Sequence, residues 1–254
     1  MVNRDRLRDR GALHPVNIVG LLGTAASVGL HYLQTAVWCD GLAQDTSVFS
    51  SQLSVMFLLV IVLIMEAPRR GIAFGHGGRW LAPARQWLIR YHGYYFAWAV
   101  VYTYWFHPME TTPGHLTGFF YTFLLLIQGA FVFTRVHTNR WWTAILEVSV
   151  LAHGVTVAVV AGQEFWPMFF FGFAALFVVT QMHGLGLPRW VHWLVYAAFI
   201  GGVLWVYAVA GRGWVNLKEI LRIPIIDYGL VLVVGGGLVL WRRMRARKDA
   251  KPEA

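Results

Sequence analysis

Five ionisable side chains stand inside long apolar stretches of this sequence, and their types could support proton transfer or ligation. They are His31, His92, Glu147, His153 and Asp227. An ionisable side chain within a membrane-spanning helix costs about 2.5–3.5 kcal/mol on insertion scales and usually faces a partner or a cavity. Each of the five therefore predicts either a buried polar contact or a functional site.

Glu147 is the first candidate for a catalytic residue because it lies two turns inside an apolar stretch. A carboxyl group there is protonated or paired, and a protonated one suits general acid–base catalysis or a proton relay. The structural alternatives are an ion pair with Arg90 or Arg135 and a hydrogen bond to a neighbouring tyrosine. His153 is a further catalytic candidate on the same stretch, but its six-residue spacing from Glu147 places it on another helix face.

Asp227 is the third catalytic candidate, just inside the last apolar stretch. The same argument from the cost of a buried charge applies to its carboxyl group. The structural alternative here is pairing with Arg222 or His31.

A metal site is one interpretation of the histidines on the predicted outer side. His107, Glu110 and His115 fall within nine residues of the turn HPMETTPGH, and His31 could complete the set. Imidazole and carboxylate ligands suit zinc, copper or iron. The spacing matches no established closed motif, so a hydrated turn with interfacial histidines is the alternative.

Haem b is the second cofactor hypothesis, and it depends on His92 and His107. Fifteen residues of helix separate them by about 22 Å along the axis and about 60° around it. This suits one haem near each membrane face, with His183 or His192 as further inner ligands and His31 or His153 as further outer ligands. The same stretch carries aromatic residues at helical spacing, which indicates a packed seam or the wall of a ligand pocket. They are Tyr91, Tyr95, Trp98, Tyr102 and Trp105.

The composition shows what must position these residues. The chain has 254 residues, of which 57% are apolar and only 13% charged, whereas soluble domains have about 25% charged residues. We predict an all-α integral membrane helix bundle with about eight transmembrane helices, each near the length of about 20 residues that a bilayer requires. The predicted spans are 16–38, 47–66, 87–107, 115–135, 141–161, 165–183, 190–210 and 223–241.

The basic residues predict the orientation. An even number of spans places the amino-terminal segment 1–15, the basic tail 242–254 and every Lys and Arg except Arg212, Lys218 and Arg222 on one side. Basic residues concentrate in loops that stay in the cytoplasm. Both termini are therefore predicted to be cytoplasmic, in a plasma membrane of the bacterial inner-membrane type.

Function follows from the sequence only as a set of hypotheses. The first is a membrane-embedded enzyme or redox subunit that acts on a hydrophobic ligand, such as a quinone, an isoprenoid or a lipid, in an aromatic-lined pocket. It uses either haem or a transition metal, or acid–base chemistry without a cofactor. A small proton-coupled transporter and a structural subunit of a larger membrane complex are the alternatives. The basic charge lies at the ends and in short loops rather than along one face, which disfavours nucleic-acid binding.

Overall fold

The computed structural model describes residues 11–37, 47–106 and 112–249, and the described residues contain helices and no strand apart from one isolated bridge between Ala73 and His76. The predicted all-helical class is confirmed for these residues. The helices are α1 Pro15–Val37, α2 Val48–Arg70, α3 Ala82–Phe106, α4 Pro113–Ala130, α5 Arg140–Val160, α6 Trp166–Val179, α7 Arg189–Leu204, α8 Arg222–Leu230 and α9 Gly236–Asp249. Short 3₁₀ segments occupy Arg79–Leu81, Val136–Thr138, Gln181–Gly184 and Trp214–Leu221, and π-helical turns occupy Trp205–Val209 and Val231–Gly235.

Local sequence determines where several helices begin. Thr112 caps α4, its hydroxyl accepting the amide of His115, and Pro113 follows at the first helical position. The side chain of Asn139 accepts the amides of Trp141 and Trp142 at the start of α5. Such side chains satisfy amides that have no partner within the helix.

Six helical segments of the described residues are long and apolar enough to cross a membrane, which is consistent with a helical membrane bundle. They are Pro15–Gln34, Gln52–Arg70, Arg140–Val160, Trp166–Gly184, Arg189–Val209 and Trp214–Arg247. The third and fourth predicted spans are also helical, as α3 and α4. These two helices are less apolar because they contain several Tyr, Thr and His residues.

The chain divides into two compact units. The first comprises Met1–Ser54 and Phe96–Trp166, and the second comprises Val55–Tyr95 and Pro167–Ala254. In the first unit α4 packs against both α1 and α5. The fully buried Asn17 of α1 donates from Nδ2 to the carbonyls of Ala130 and Val132, at 2.8 and 2.7 Å. These two bonds fix the start of α1 to the end of α4.

The second unit has a core of its own, built mainly from α6 and the turns that follow α7. Phe171, Ala175, Tyr207 and Ile220 form a buried cluster there. Gly172 lets α8 approach α6 closely, because a Cβ at this position would lie 3.0 Å from the side chain of Ile223. Small residues allow such close approach of helices in membranes.

Candidate functional site

His31 lies in an aromatic pocket of the first unit. Its ring is 5% exposed, with its centroid 4.1 Å from that of Tyr104 and 5.0 Å from that of Phe119. The hydroxyl of Tyr104 donates to the carbonyl of Ser27, one turn before His31 on α1. The pocket is thus built by α1, α3 and α4, and the imidazole is packed among rings.

Glu147 is buried where α4 and α5 pack together. Its side chain is 8% exposed, and its carboxylate interacts electrostatically with the buried Tyr121 of α4. A phenol beside a carboxyl group can exchange a proton with it or hold it by a hydrogen bond. This neighbourhood suits both the catalytic and the structural interpretation of Glu147.

The remaining polar residues of the predicted outer group do not form a metal site in the described residues. His153 Nδ1 lies 3.3 Å from the hydroxyl of Thr117, and His115 Nδ1 lies 2.8 Å from the capping hydroxyl of Thr112. No three His, Cys, Asp or Glu side chains come together within the described ranges. His107 and Glu110, the other two members of the predicted metal set, lie outside those ranges.

The α3 residues of the haem and pocket hypotheses are divided between the two units. His92 is partly buried, with its Nδ1 3.0 Å from the carbonyl of Ile89 on its own helix. Tyr95 packs edge-on against Phe57 in the same unit. In the other unit Trp98 stacks on Tyr102 at 5.4 Å, and the hydroxyls of Tyr102 and Ser50 are 2.6 Å apart.

Asp227 is more deeply buried than Glu147. Its side chain is 1% exposed, and neither carboxylate oxygen has a hydrogen-bond partner among the described residues. The predicted pairing with Arg222 is therefore wrong, because the Arg222 guanidinium points to the sulfur of Met168, 3.8 Å away. An ionised carboxylate without a partner is expensive in such a place, so the neutral acid is the form that fits.

Two contacts place the part of α8 around Asp227 close to α6 and to the residue that follows it. One turn earlier on α8, Ile223 packs on Gly172, and the next residue, Tyr228, hydrogen-bonds the hydroxyl of Thr180. Ile223 precedes Asp227 along α8 and Tyr228 follows it, and the Asp227 side chain lies on the buried side of the helix. The π-helical turn Val231–Gly235 begins one turn later, and such turns are frequent at functional sites.

A second buried acid of this unit, Glu219, was not among the predicted site residues. Its carboxylate accepts Arg212 Nε at 3.0 Å, Arg212 Nη2 at 2.8 Å and the hydroxyl of Tyr207 at 2.6 Å. All three donors point at one group that is 5% exposed. This geometry is that of a structural clamp, which holds the 3₁₀ segment Trp214–Leu221 on the end of the preceding helix. The only indication of Glu219 in the sequence was that it is a single acidic residue in a basic loop.

Comparison of the chain with protein families, with curated proteins and with solved structures finds no match.

Proposed function

We propose that this chain is a multi-pass membrane protein that handles a hydrophobic ligand by exchanging protons at buried carboxyl groups, above all at Asp227. The observation that carries the proposal is a carboxyl group that is 1% exposed and has no hydrogen-bond partner among the described residues. An acid buried in this way destabilises the fold unless it binds a proton, a cation or a ligand. Intramembrane acids are commonly functional. Glu147, beside Tyr121, is the second proton-exchanging group.

The proposed setting is a bundle of eight spans in a bacterial-type plasma membrane, with both termini in the cytoplasm. The distribution of basic residues supports this orientation. We assign the two spans beyond the six most apolar ones to the helices α3 and α4. The ligand is a quinone, an isoprenoid or a lipid. The leading form of the function is acid–base chemistry on that ligand, with Asp227 as general acid or base.

A proton-coupled transporter is the second candidate, and a particular feature of α8 favours it. The π-helical turn Val231–Gly235 begins one turn after Asp227, and Gly236 and Gly237 continue from it. A π-turn and adjacent glycines weaken the helix at this point. A bend there would change the surroundings of the carboxyl group, as alternating access requires.

The test compares the wild-type protein with Asp227→Asn and with the matched control Glu164→Gln, which removes an exposed acid. We expect an infrared band of protonated carboxyl groups that shifts in D₂O, loses intensity in Asp227→Asn and is unchanged in Glu164→Gln. Mass spectrometry of organic extracts should find a hydrophobic molecule with the wild-type protein and less of it with Asp227→Asn.

An unchanged infrared band together with unchanged ligand content in Asp227→Asn would overturn the proposal. Reconstitution in liposomes that contain a pH-sensitive dye separates the two forms. Ligand-dependent proton movement that Asp227→Asn abolishes indicates the transporter, whereas conversion of the ligand without proton movement across the membrane indicates the enzyme.

A further inference from the structure

Five aromatic side chains of the second unit form a cluster that takes no part in the proton exchange proposed at Asp227 and Glu147. The rings of His183 and His192 stack with centroids 5.1 Å apart and planes 19° apart. Phe74 lies 6.3 Å from His183 and 6.4 Å from Tyr196, and Trp193 lies 5.6 Å from Tyr196. Phe74 is 55% exposed and Trp193 is 71% exposed, so the cluster opens at the surface of this unit.

The imidazole of His192 offers a hydrogen-bond acceptor, Nε2, to a ligand. Its Nδ1 lies 3.3 Å from the carbonyl oxygen of Pro188. A carbonyl can only accept, so Nδ1 carries the proton and Nε2 of the neutral ring keeps its lone pair. That Nε2 atom is buried and has no hydrogen-bond partner among the described residues. A ligand that presents a hydroxyl group would satisfy it.

Tyr196, one turn further along α7, offers a donor close to His183, the ring on which His192 stacks. Its hydroxyl lies 3.3 Å from His183 Nε2, which is long for a hydrogen bond that involves an O–H group. The hydroxyl can therefore turn to a carbonyl oxygen of a ligand at little cost. An acceptor and a donor on neighbouring turns suit a small ring that carries oxygens on opposite sides.

The backbone of the loop that carries Phe74 is strained in a way that favours a binding role. Phe74 has φ +49°, a left-handed conformation that is rare for a bulky residue. Its amide donates to the carbonyl of Val179 at 2.5 Å, which holds the ring over His183. Strain of this kind persists where the surroundings impose it, and it concentrates at ligand-binding sites.

We infer that this cluster, defined by Phe74, His183, His192, Trp193 and Tyr196, binds the headgroup of a quinol or quinone. The inference rests on the proposed function and names its ligand class. The rings supply flat apolar contact for the headgroup, His192 Nε2 accepts from a quinol hydroxyl, and the Tyr196 hydroxyl donates to a quinone carbonyl. The two redox forms are thereby recognised by different residues.

The experiment is calorimetric titration of the full-length protein in detergent with a decyl-substituted benzoquinone and with the corresponding quinol. His192→Phe keeps a stacking ring but removes Nε2, and Tyr196→Phe removes only the hydroxyl. We expect His192→Phe to bind the quinol about tenfold more weakly while its affinity for the quinone changes less, since one hydrogen bond is lost. Tyr196→Phe should show the reverse selectivity. His14→Phe, in the other unit, should bind both forms like the wild type.

The inference is overturned if the wild type binds neither form, or if both variants bind both forms with wild-type affinity. Equal weakening for the two forms would indicate a packing role and also overturn it. Circular dichroism verifies that the variants fold. If His192→Phe fails to fold, the affinities of Tyr196→Phe for the quinol and for the quinone test the inference. The wild type could bind neither quinone nor quinol and still show the Asp227-dependent infrared band and another bound lipid. This result would refute the proposed site but not the proposed function.

Discussion

Replacing Glu219 by Gln should destabilise the second unit, because it breaks a buried cluster of hydrogen bonds to a carboxylate. The carboxylate accepts two bonds from Arg212 and one from Tyr207. A hydrogen bond to a charged group contributes about 1.5–3 kcal/mol. Gln retains the bond from Tyr207 but turns an amide donor towards Arg212. The side chain of Arg212 is 21% exposed and can turn to water, so we expect a loss of about 2–3 kcal/mol rather than the about 3–5 kcal/mol for a fully buried pair.

The assay is equilibrium unfolding in mixed micelles of a mild detergent and SDS, followed by circular dichroism. The exposed-acid variant Glu164→Gln should remain within about 0.5 kcal/mol of the wild type. A triple variant with Tyr207→Phe, Arg212→Met and Glu219→Leu removes every polar partner together and should be more stable than Glu219→Gln alone. If Glu219→Gln unfolds at the wild-type SDS fraction, the clamp contributes nothing and the reasoning about its three bonds is refuted.

Three further predictions concern two packing contacts, at Asn17 and Gly172, and the membrane orientation of Cys39. Asn17→Ala leaves two backbone carbonyls without donors and should lower the free energy of unfolding by about 2 kcal/mol in the same SDS titration; an unchanged midpoint would contradict it. Gly172→Ala places a Cβ 3.0 Å from Ile223 and should destabilise by about 1–3 kcal/mol, whereas Gly201→Ala meets nothing within 4 Å and should be neutral. Cys39, the single cysteine, belongs to a predicted outer loop, so a membrane-impermeant maleimide should label it on intact cells; labelling only after permeabilisation would reverse the proposed orientation.

The helical class was predictable because it depends on composition, whereas the helix ends depend on local contacts. The second span was predicted to end at 66, but α2 continues to Arg70, past Pro68. The fourth was predicted to reach 135, but α4 ends at Ala130, whose carbonyl accepts from Asn17. Hydropathy marks the apolar window that a bilayer requires. It carries no information about a partner that arrives from a distant part of the chain.

The partners of the candidate acids were also not predictable from the sequence. Glu147 ranked above Asp227 in the sequence because it lies further from the end of its apolar stretch. Asp227 had a cation, Arg222, five residues away, and proximity in sequence favoured an ion pair. In the structure Arg222 turns to Met168 instead. A five-residue spacing on a helix separates two side chains by more than 90° around the axis, so the pairing required a backbone irregularity that α8 does not provide before Val231.

Burial alone does not separate a structural acid from a functional one, and Glu219 and Asp227, eight positions apart, are both buried but differ in their contacts. Glu219 and Asp227 are 5% and 1% exposed, respectively. Glu219 is saturated by three donors, so any ligand or proton that approached it would have to displace Arg212 or Tyr207. Asp227 has no hydrogen-bond partner among the described residues, so protonation or a bound ligand can only lower its energy. The two substitutions should therefore have opposite effects on stability: Glu219→Gln lowers it, and Asp227→Asn leaves it unchanged or raises it while function is lost. Equal destabilisation by both in one SDS titration would show that Asp227 also has a structural role, and it would remove the main support for proton exchange there.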